Sequence, residues 1–306
     1  MELIVGTRGS RLSLLQKEIV TRKLEAICRD LTIKTKIIKT EGDRHRTQPL
    51  LSIRQKGVFE KEIDRMVVRG DVDFAVHSLK DVPTDLPSKT IIAAVPKRDS
   101  PYDVLISNGN LRLKSIALGA SVGTSSPRRM AQLHHLRPDL NVEPIRGNVE
   151  TRVRKLDEGL YNAIILAEAG LKRLGMQERV TERLSLTQFT PSAGQGALAL
   201  VTRKDNNDLI KILQYVNDPQ SMAEAHAERA FMRKIGGGCK VPLGIIAQTH
   251  GRNMILRGAV LSPDGKTKIH VCRSGSAAKP TKLGIRVAQE MLNLGADELS
   301  KRWKNS

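Results

Sequence analysis

The chain has 306 residues, 40% of them apolar, and 51 Lys plus Arg against 32 Asp plus Glu give a net charge of +19. This length exceeds the size at which a single core stops growing, so we expect two or three domains. No apolar run approaches the ~18 residues of a membrane helix and no secretory signal is visible, so a cytoplasmic protein is expected. Cys28, Cys239 and Cys272 are too few and too scattered for a disulfide framework or a zinc site, which favours reduced thiols.

The positive charge predicts an anionic partner. Nucleic acid is not favoured, because aromatic residues make up only 3% of the chain and no zinc-finger spacing, RNA-binding signature or basic arm is present. The basic residues are interspersed through an ordinary globular pattern. This distribution indicates either a solvated basic surface or a site for small polyanions.

The first part of the chain alternates apolar strands with amphipathic helices, as an α/β domain does. A helix follows the first strand and another ends at Gly70, and the predicted strands cover residues 3–6, 32–39, 74–78 and 91–95. The stretch PKRDSPYD then indicates a hinge, after which a second α/β region begins. In that region Pro127 fits the first position of a helix and Ser126 fits the cap before it.

The last third of the chain changes pattern. Residues 191–203 contain a further strand, ALALV, and we expect the chain to cross back to the first α/β domain there. From about Ser221 a long helix, a GGGC turn, three strands and a closing helix predict a smaller C-terminal α+β domain. The predicted domains are therefore residues 1–96 with 197–215, residues 100–191, and residues 219–306.

Three junctions between a strand and a helix carry hydroxyl and arginine side chains, at residues 7–10, 124–129 and 146–152. Helix N-termini present free N–H groups and the positive end of a dipole, and the arginine fork binds a carboxylate through two hydrogen bonds. Any one of these junctions is more often an ordinary capped helix. The three together favour a ligand with several carboxylates or phosphates.

The stretch HSLKDVP at residues 77–83 follows an apolar strand, so it places Lys80 and Asp81 where open α/β sheets bind ligands. Asp81 beside a lysine should stay ionised and could stabilise a cation or move a proton, and a loop salt bridge is the alternative. His77 is expected to be structural rather than a base.

Three glycines precede Cys239, after a helix that ends in Arg233 and Lys234. The glycines would let the thiol project into a cleft, and the nearby cations would favour the thiolate. A flexible helix terminator beside an incidental cysteine explains the same residues equally well.

Together these motifs resemble the porphobilinogen deaminase family over essentially the whole chain, with HSLKDVP, TSSPRR, RGNVETR and GGGCKVP as the most specific matches. The resemblance implies two α/β domains similar to type II periplasmic binding proteins, which enclose an active-site cleft, and a smaller α+β domain that carries a cofactor cysteine. The implied enzyme is a deaminating transferase. It joins four porphobilinogen units head to tail into the linear tetrapyrrole hydroxymethylbilane, in porphyrin and heme biosynthesis.

The resemblance also implies roles for individual residues. Cys239 would hold a dipyrromethane cofactor through a thioether, and Asp81 would be the catalytic carboxylate, which stabilises the cationic azafulvene formed by loss of ammonia. Residues implied to contact the cofactor are Ser78, Lys80, Thr124, Ser126, Arg128, Arg129 and Gln195. Residues implied to bind the substrate are Arg8, Ser10, Lys56, Phe59, Arg146, Arg152 and Arg173. No metal is implied, and Glu168 is expected to point away from the anion site.

Two other classes of protein are weighed against this enzyme. An anion-binding module of the periplasmic-binding-protein type would share the two α/β domains but would need neither the GGGC-bearing domain nor Asp81. A nucleic-acid binder would need an aromatic or helical reading surface, which the sequence lacks. The expected partner is the small molecule porphobilinogen, with no nucleic acid and no membrane, and the expected assembly is a monomer.

Overall fold

The computed structural model describes residues 1–39, 61–236 and 242–302. The chain divides into two compact units: unit 1 contains residues 1–99 and 196–225, and unit 2 contains residues 100–195 and 226–306. The α+β region after residue 225 thus groups with the second α/β region. The finer three-domain boundaries stay a prediction.

The helices and strands follow the predicted alternation. In chain order they are β1 (Glu2–Arg8), α1 (Arg11–Ile27), β2 (Thr32–Ile38), α2 (Lys61–Arg69), β3 (Phe74–Ser78), β4 (Thr90–Ala94), β5 (Asp103–Ser107), β6 (Ser121–Gly123), α3 (Pro127–Leu136), β7 (Asn141–Glu143), α4 (Val149–Asp157), β8 (Ala163–Ala167), α5 (Glu168–Arg173), β9 (Glu182–Arg183), β10 (Leu198–Arg203), α6 (Asn207–Gln214), α7 (Pro219–Ile235), β11 (Leu243–His250), β12 (Asn253–Leu261), β13 (Lys268–Ser276), α8 (Pro280–Asn293) and α9 (Ala296–Arg302). Strands β5 and β9 and helix α9 were not predicted from the sequence.

Unit 1 is built on a five-stranded sheet with the order β2-β1-β3-β10-β4. Strand β1 runs parallel to β2 and β3, whereas β10 is antiparallel to both β3 and β4. The predicted return of the chain to the first α/β region is therefore confirmed. Apolar side chains cover both faces of the sheet: Leu24 and Leu213 pack on one core with Phe74, and Ile63 and Val67 of α2 pack on another.

The second α/β region, in unit 2, has the sheet order β7-β6-β8-β5-β9. Strands β7, β6 and β8 are parallel, and β5 is antiparallel to β8 and to β9. Helix α3 begins as predicted, with Pro127 in the first turn and the Ser126 side chain accepting a hydrogen bond from the Arg129 N–H. The α/β class predicted for this region is thus confirmed.

The C-terminal part of unit 2 is a three-stranded antiparallel sheet, β11-β12-β13, with α7 and α8 on one face and α3 on the other. Gly258 permits this packing, because a Cβ there would lie 2.7 Å from the Met291 sulfur and 3.3 Å from the Phe231 ring. Phe231 of α7 and Met291 of α8 are fully buried. The predicted α+β character is confirmed.

Within the described ranges, no helix combines the length and apolar character needed to cross a membrane.

Candidate active site

One group of predicted site residues lies at a single edge of the sheet in unit 1. Because β1 and β3 are parallel neighbours, their carboxyl ends meet at the same edge, where Arg8 ends β1 and Ser78 ends β3. Ser10 caps α1 there, since its Oγ accepts a hydrogen bond from the Ser13 N–H at 3.3 Å. Gln16 of α1 donates to Ser78 Oγ at 2.9 Å and so ties the helix to the end of β3.

Lys80 and Asp81 lie on a short 3-10 turn, Leu79–Asp81, that directly follows β3. Leu79 and Val82 on either side of them are buried in a core with Val95 and Ala197. The Leu79 N–H also donates to the Ala197 carbonyl at 3.0 Å. The turn is therefore fixed by its apolar neighbours, while the side chains of Lys80 and Asp81 are exposed.

His77 is structural, as expected. Its ring lies beneath this edge with Nε2 3.0 Å from Oδ1 of Asp64 on α2, and both side chains are buried. The pair joins α2 to the end of β3. In a buried pair of this kind each side chain provides the other with a hydrogen-bond partner.

A second group of predicted residues lies where the parallel strands of unit 2 end. Thr124, Ser126, Arg128 and Arg129 follow β6 and residues 146–152 follow β7, whereas Arg173 is the last residue of α5, at the end of that helix remote from β8. Asn148 caps α4 by accepting a hydrogen bond from the Thr151 N–H at 2.8 Å. Two of the three predicted strand-to-helix junctions thus lie at this edge, and the third lies in unit 1.

Arg128 and Arg129 share a buried counter-ion, Asp103, which the sequence interpretation missed. Asp103 begins β5 and pairs with Ala167, the last residue of β8, so it lies at the same sheet edge. Arg129 donates through Nε and Nη2 to Asp103 Oδ1 at 3.0 and 2.7 Å, and Arg128 Nη1 lies 2.7 Å from Oδ2. Gln195 also donates to Asp103 Oδ1, at 3.1 Å. Arg128 and Arg129 are only 5% and 7% exposed.

The two guanidiniums keep Asp103 ionised. Burial alone would raise the pKa of this carboxyl, but the charges and hydrogen bonds of Arg128 and Arg129 outweigh burial and lower the pKa from 3.8 to about 2. A motif match predicts these arginines as cofactor ligands. The structure adds that part of their donor capacity already serves Asp103 and two backbone carbonyls, those of Thr190 and Ile165.

Arg152, unlike Arg128 and Arg129, has no buried counter-ion among the described residues. Its Nε donates to the Gly147 carbonyl at 2.9 Å, and no carboxylate of the described residues pairs with it. Burial, together with repulsion from Arg129, lowers its pKa from 12.5 to about 10. A ligand carboxylate would relieve both effects, so Arg152 fits an anion-binding role.

Glu168, close in sequence to Arg173, is neutralised within unit 2. Its carboxylate accepts hydrogen bonds from Arg183 Nη2 at 2.6 Å and Nε at 3.1 Å, and from the Ser100 hydroxyl. Burial would raise the pKa of Glu168, but these hydrogen bonds hold it below its ordinary value. The negative charge is therefore compensated by Arg183 beside the arginine-rich edge.

Three predicted site residues, Lys56, Phe59 and Cys239, lie outside the described residues. Gly236, the last described residue before Cys239, has a φ of 71° and follows the end of α7. Cys28 and Cys272 are free thiols, as expected, and both are only half-buried. Among the described residues no cluster of three or more His, Cys, Asp or Glu side chains could hold a metal ion.

Two family models match consecutive parts of the chain. One, described as "Porphobilinogen deaminase, dipyromethane cofactor binding domain", matches residues 3–211, and the other, "Porphobilinogen deaminase, C-terminal domain", matches residues 222–293. The chain belongs to the porphobilinogen deaminase family. Membership implies an enzyme that makes hydroxymethylbilane in tetrapyrrole biosynthesis with a dipyrromethane cofactor. The nucleic-acid binder and the simple anion-binding module are therefore not supported.

Relatives that carry the porphobilinogen deaminase name match over nearly their whole length. A probable porphobilinogen deaminase of Nitrosopumilus maritimus is 44% identical, with 99% of this chain and 97% of that protein covered. A porphobilinogen deaminase of Desulforudis audaxviator is 43% identical, with 98% and 97% covered. Among solved structures, an ancestral cationic amino acid solute-binding protein is similar with a TM-score of 0.46 at 12% identity, with 70% of this chain and 88% of that chain covered.

The arginine-rich edge of unit 2 fits the cofactor of the porphobilinogen deaminase family. A dipyrromethane built from porphobilinogen carries several carboxylates, and a cationic edge whose Arg152 guanidinium has no carboxylate partner among the described residues suits such a group.

Proposed function

We propose that this member of the family synthesises hydroxymethylbilane with Cys239 as the attachment point of the dipyrromethane and Asp81 as the catalytic carboxylate. The observation that carries the proposal is that Arg152, which follows β7, donates to the Gly147 carbonyl and pairs with no carboxylate of the described residues, while burial and Arg129 lower its pKa to about 10. A cation held in such surroundings is best explained by an anionic ligand. Porphobilinogen and its oligomers are polyanions.

Residues of unit 2 are proposed to hold the acidic side chains of the bound pyrroles. Arg146, Arg152 and Arg173 would bind substrate carboxylates, and the remaining donor capacity of the cluster around Asp103 would serve the cofactor. When bound, the dipyrromethane would supply the primer to which pyrrole units are added. Thr124 and Ser126 stand at the N-terminus of α3, where a helix dipole favours an anion.

Residues of unit 1 are proposed to act on the reacting substrate. Loss of ammonia leaves positive charge on a substrate pyrrole, and a carboxylate fixed before the reaction stabilises that charge without reorganisation. The exposed carboxylate of Asp81 on its anchored turn suits this role. Arg8, Ser10, Ser78 and Lys80 surround the same sheet edge and are proposed to orient the substrate and cofactor carboxylates.

The attachment at Cys239 is tested by the mass of the intact chain after purification from a host that makes porphyrins. Two pyrrole units on the wild-type chain, and none on a Cys239→Ser variant, are expected. A Cys272→Ser variant is the matched control and should keep the added mass. A bare wild-type chain from that host would count against the proposal.

The role of Asp81 is tested with Asp81→Asn, which keeps the size of the side chain and removes its charge. We expect a folded protein with turnover of porphobilinogen reduced by about a hundredfold or more, in the range found for one lost electrostatic contact to a transition state. Asp71→Asn, an exposed position in unit 1, is the control and should retain turnover. Normal turnover in Asp81→Asn would remove Asp81 from the mechanism.

The proposal includes a monomeric enzyme that acts in a reducing compartment, the cytoplasm. A thioether anchor requires a free thiol at Cys239 before the cofactor is attached, and reducing conditions keep cysteines in that form. Light scattering of the purified chain tests the monomer, and a stable dimer would contradict it.

A further inference from the structure

A short segment of unit 2, residues 190–195, is clamped on one side by helix α3. The Thr190 N–H donates to Gln132 Oε1 at 2.6 Å, and Gln132 Nε2 donates back to the Thr190 carbonyl at 3.2 Å. Arg128 Nη1 donates to the same carbonyl at 2.7 Å. Gln132 is 1% exposed and Thr190 is fully buried. The segment is therefore fixed to the helix that carries Arg128.

The same segment is fastened on its other side to β11 and α7. The Ile245 N–H of β11 donates to the Pro191 carbonyl at 2.8 Å. A Cβ on Gly244 would lie only 2.6 Å from the Thr190 carbonyl oxygen, so β11 approaches Thr190 as closely as glycine allows. The buried carboxylate of Glu228 on α7 accepts from the Gly194 N–H at 2.6 Å and from the Ala247 N–H of β11 at 2.9 Å.

The two elements held in this way flank Cys239 in the chain. Helix α7 ends at Ile235 and β11 begins at Leu243. The segment 190–195 thus links the arginine-bearing helix α3 directly to both elements next to the cysteine. A group attached to Cys239 would also be bound through its carboxylates by the arginines of α3. Such a group needs a fixed distance between its attachment point and those arginines.

We propose that Gln132 and Gly244 are positioning residues, which act through Thr190 to hold the elements flanking Cys239 in register with the arginines of α3. This rests on the proposed attachment of the cofactor to Cys239. The Gln132 amide is suited to the task, because it accepts from the backbone N–H and donates to the backbone carbonyl of the same residue, Thr190. Gly244 contributes by the absence of a side chain.

The test compares Gln132→Met and Gly244→Ala with a matched control, Gly258→Ala. The control Cβ would lie 2.7 Å from the Met291 sulfur, on the opposite face of the same sheet, so it strains the sheet without contacting Thr190. All three variants are expected to have a lower melting temperature. Only Gln132→Met and Gly244→Ala should lose kcat for porphobilinogen, by about tenfold or more, because small misplacements of reacting groups are costly. Their KM should change by less than about twofold.

Two readouts do not depend on turnover. Hydrogen exchange at the Ile245 amide should be faster in Gln132→Met and Gly244→Ala than in Gly258→Ala, because that amide donates to Pro191. The mass of the intact chain should show that all variants keep the two pyrrole units on Cys239. A fall in kcat with the cofactor retained distinguishes positioning from loss of attachment.

A double variant tests whether Gln132 and Gly244 act through one contact. If Gln132 and Gly244 act through one contact, Gln132→Met with Gly244→Ala should slow turnover little more than the more severe single variant. Where Gln132→Met fails to fold, Gln132→Glu replaces it, since it keeps the acceptor for the Thr190 N–H and loses the donor. Fully additive losses, or losses of kcat equal to those of Gly258→Ala at the same melting temperature, would overturn the proposal. A wild-type chain without turnover or pyrrole units would instead refute the proposed function.

Discussion

Asp103→Asn should be among the most destabilising single changes in unit 2. The side chain is fully buried and neutralises two guanidiniums that are 5% and 7% exposed. Removal of one partner from a buried ion pair costs about 3–5 kcal/mol, because the remaining charge is left buried without compensation. Here the guanidiniums of both Arg128 and Arg129 lose their counter-ion. The NH2 group of the new amide is itself a donor and cannot accept hydrogen bonds from them. We therefore expect a loss of about 3–5 kcal/mol in the free energy of unfolding.

The same carboxylate gives a pH dependence whose sign follows from its pKa. The pKa of Asp103 is about 2 in the folded chain, against an ordinary value of 3.8. The folded state therefore favours the ionised carboxylate more than the unfolded chain does. The associated stability is fully present above about pH 4 and is lost as the pH falls toward 2, and a shift of this size corresponds to about 2 kcal/mol.

Urea unfolding of wild type and Asp103→Asn, measured at pH 7 and at intervals between pH 4 and 2, checks both figures. Asp205→Asn is the control, because its ion pair with Arg203 is exposed and should leave the midpoint nearly unchanged. The acid-dependent loss should be smaller in Asp103→Asn than in wild type. A cost below about 1 kcal/mol at pH 7, or parallel acid profiles for the two proteins, would refute the reasoning.

Three further changes test the arginine-rich edge of unit 2. Arg152→Ala should reduce turnover while the melting temperature stays level or rises, because it removes a half-buried charge repelled by Arg129; a marked fall in melting temperature would argue for a structural role. Gly147→Ala should cost about 1–3 kcal/mol in unfolding free energy, since φ is 114° and the new Cβ would lie 2.5 Å from Thr151 Cγ2; equal stability in urea would contradict this. Ser126→Ala should cost about 1 kcal/mol through loss of the cap on α3, whereas Ser126→Thr should retain most of it by the same measurement.

The sequence predicts most of the fold because local signals and tertiary structure agree. The strand 74–78 has the predicted bounds, and the cap and first proline of α3 function as the residue types suggest. The apolar run at ALALV predicts strand β10, although the run itself does not determine which sheet the strand joins. These features depend on periodicity and capping, which short stretches of sequence carry.

The counter-ion of the arginine pair could not be predicted, because its position depends on a long-range pairing. Asp103 is the last residue of the stretch PKRDSPYD, which is interpreted as a hinge, and its only signal is a charged residue before the apolar run Val-Leu-Ile. Its contact with Arg128 and Arg129 arises once β5 pairs antiparallel with β8. For the same reason, nothing local links Gln132 with Thr190, which lie 58 residues apart.

The sheet of unit 1 has a consequence for how the chain folds. Within the described residues β4 pairs only with β10, so β4 joins the sheet after residues 198–203 have been made. Until then β3 presents an unpaired edge with an apolar sequence, which is prone to association.

The first part of unit 2 is inserted at this point, between Asp99 and Gly196, whose backbone groups are joined by a hydrogen bond of 3.2 Å. Gln195 at the end of the insertion donates to Asp103 and to the Pro101 carbonyl near its start. Folding of the insertion therefore brings its own ends together and delivers β10 to its place, which lowers the entropy cost of closing so long a loop. We therefore expect a substitution at Asp103 to slow completion of the unit 1 sheet, to which that residue does not belong.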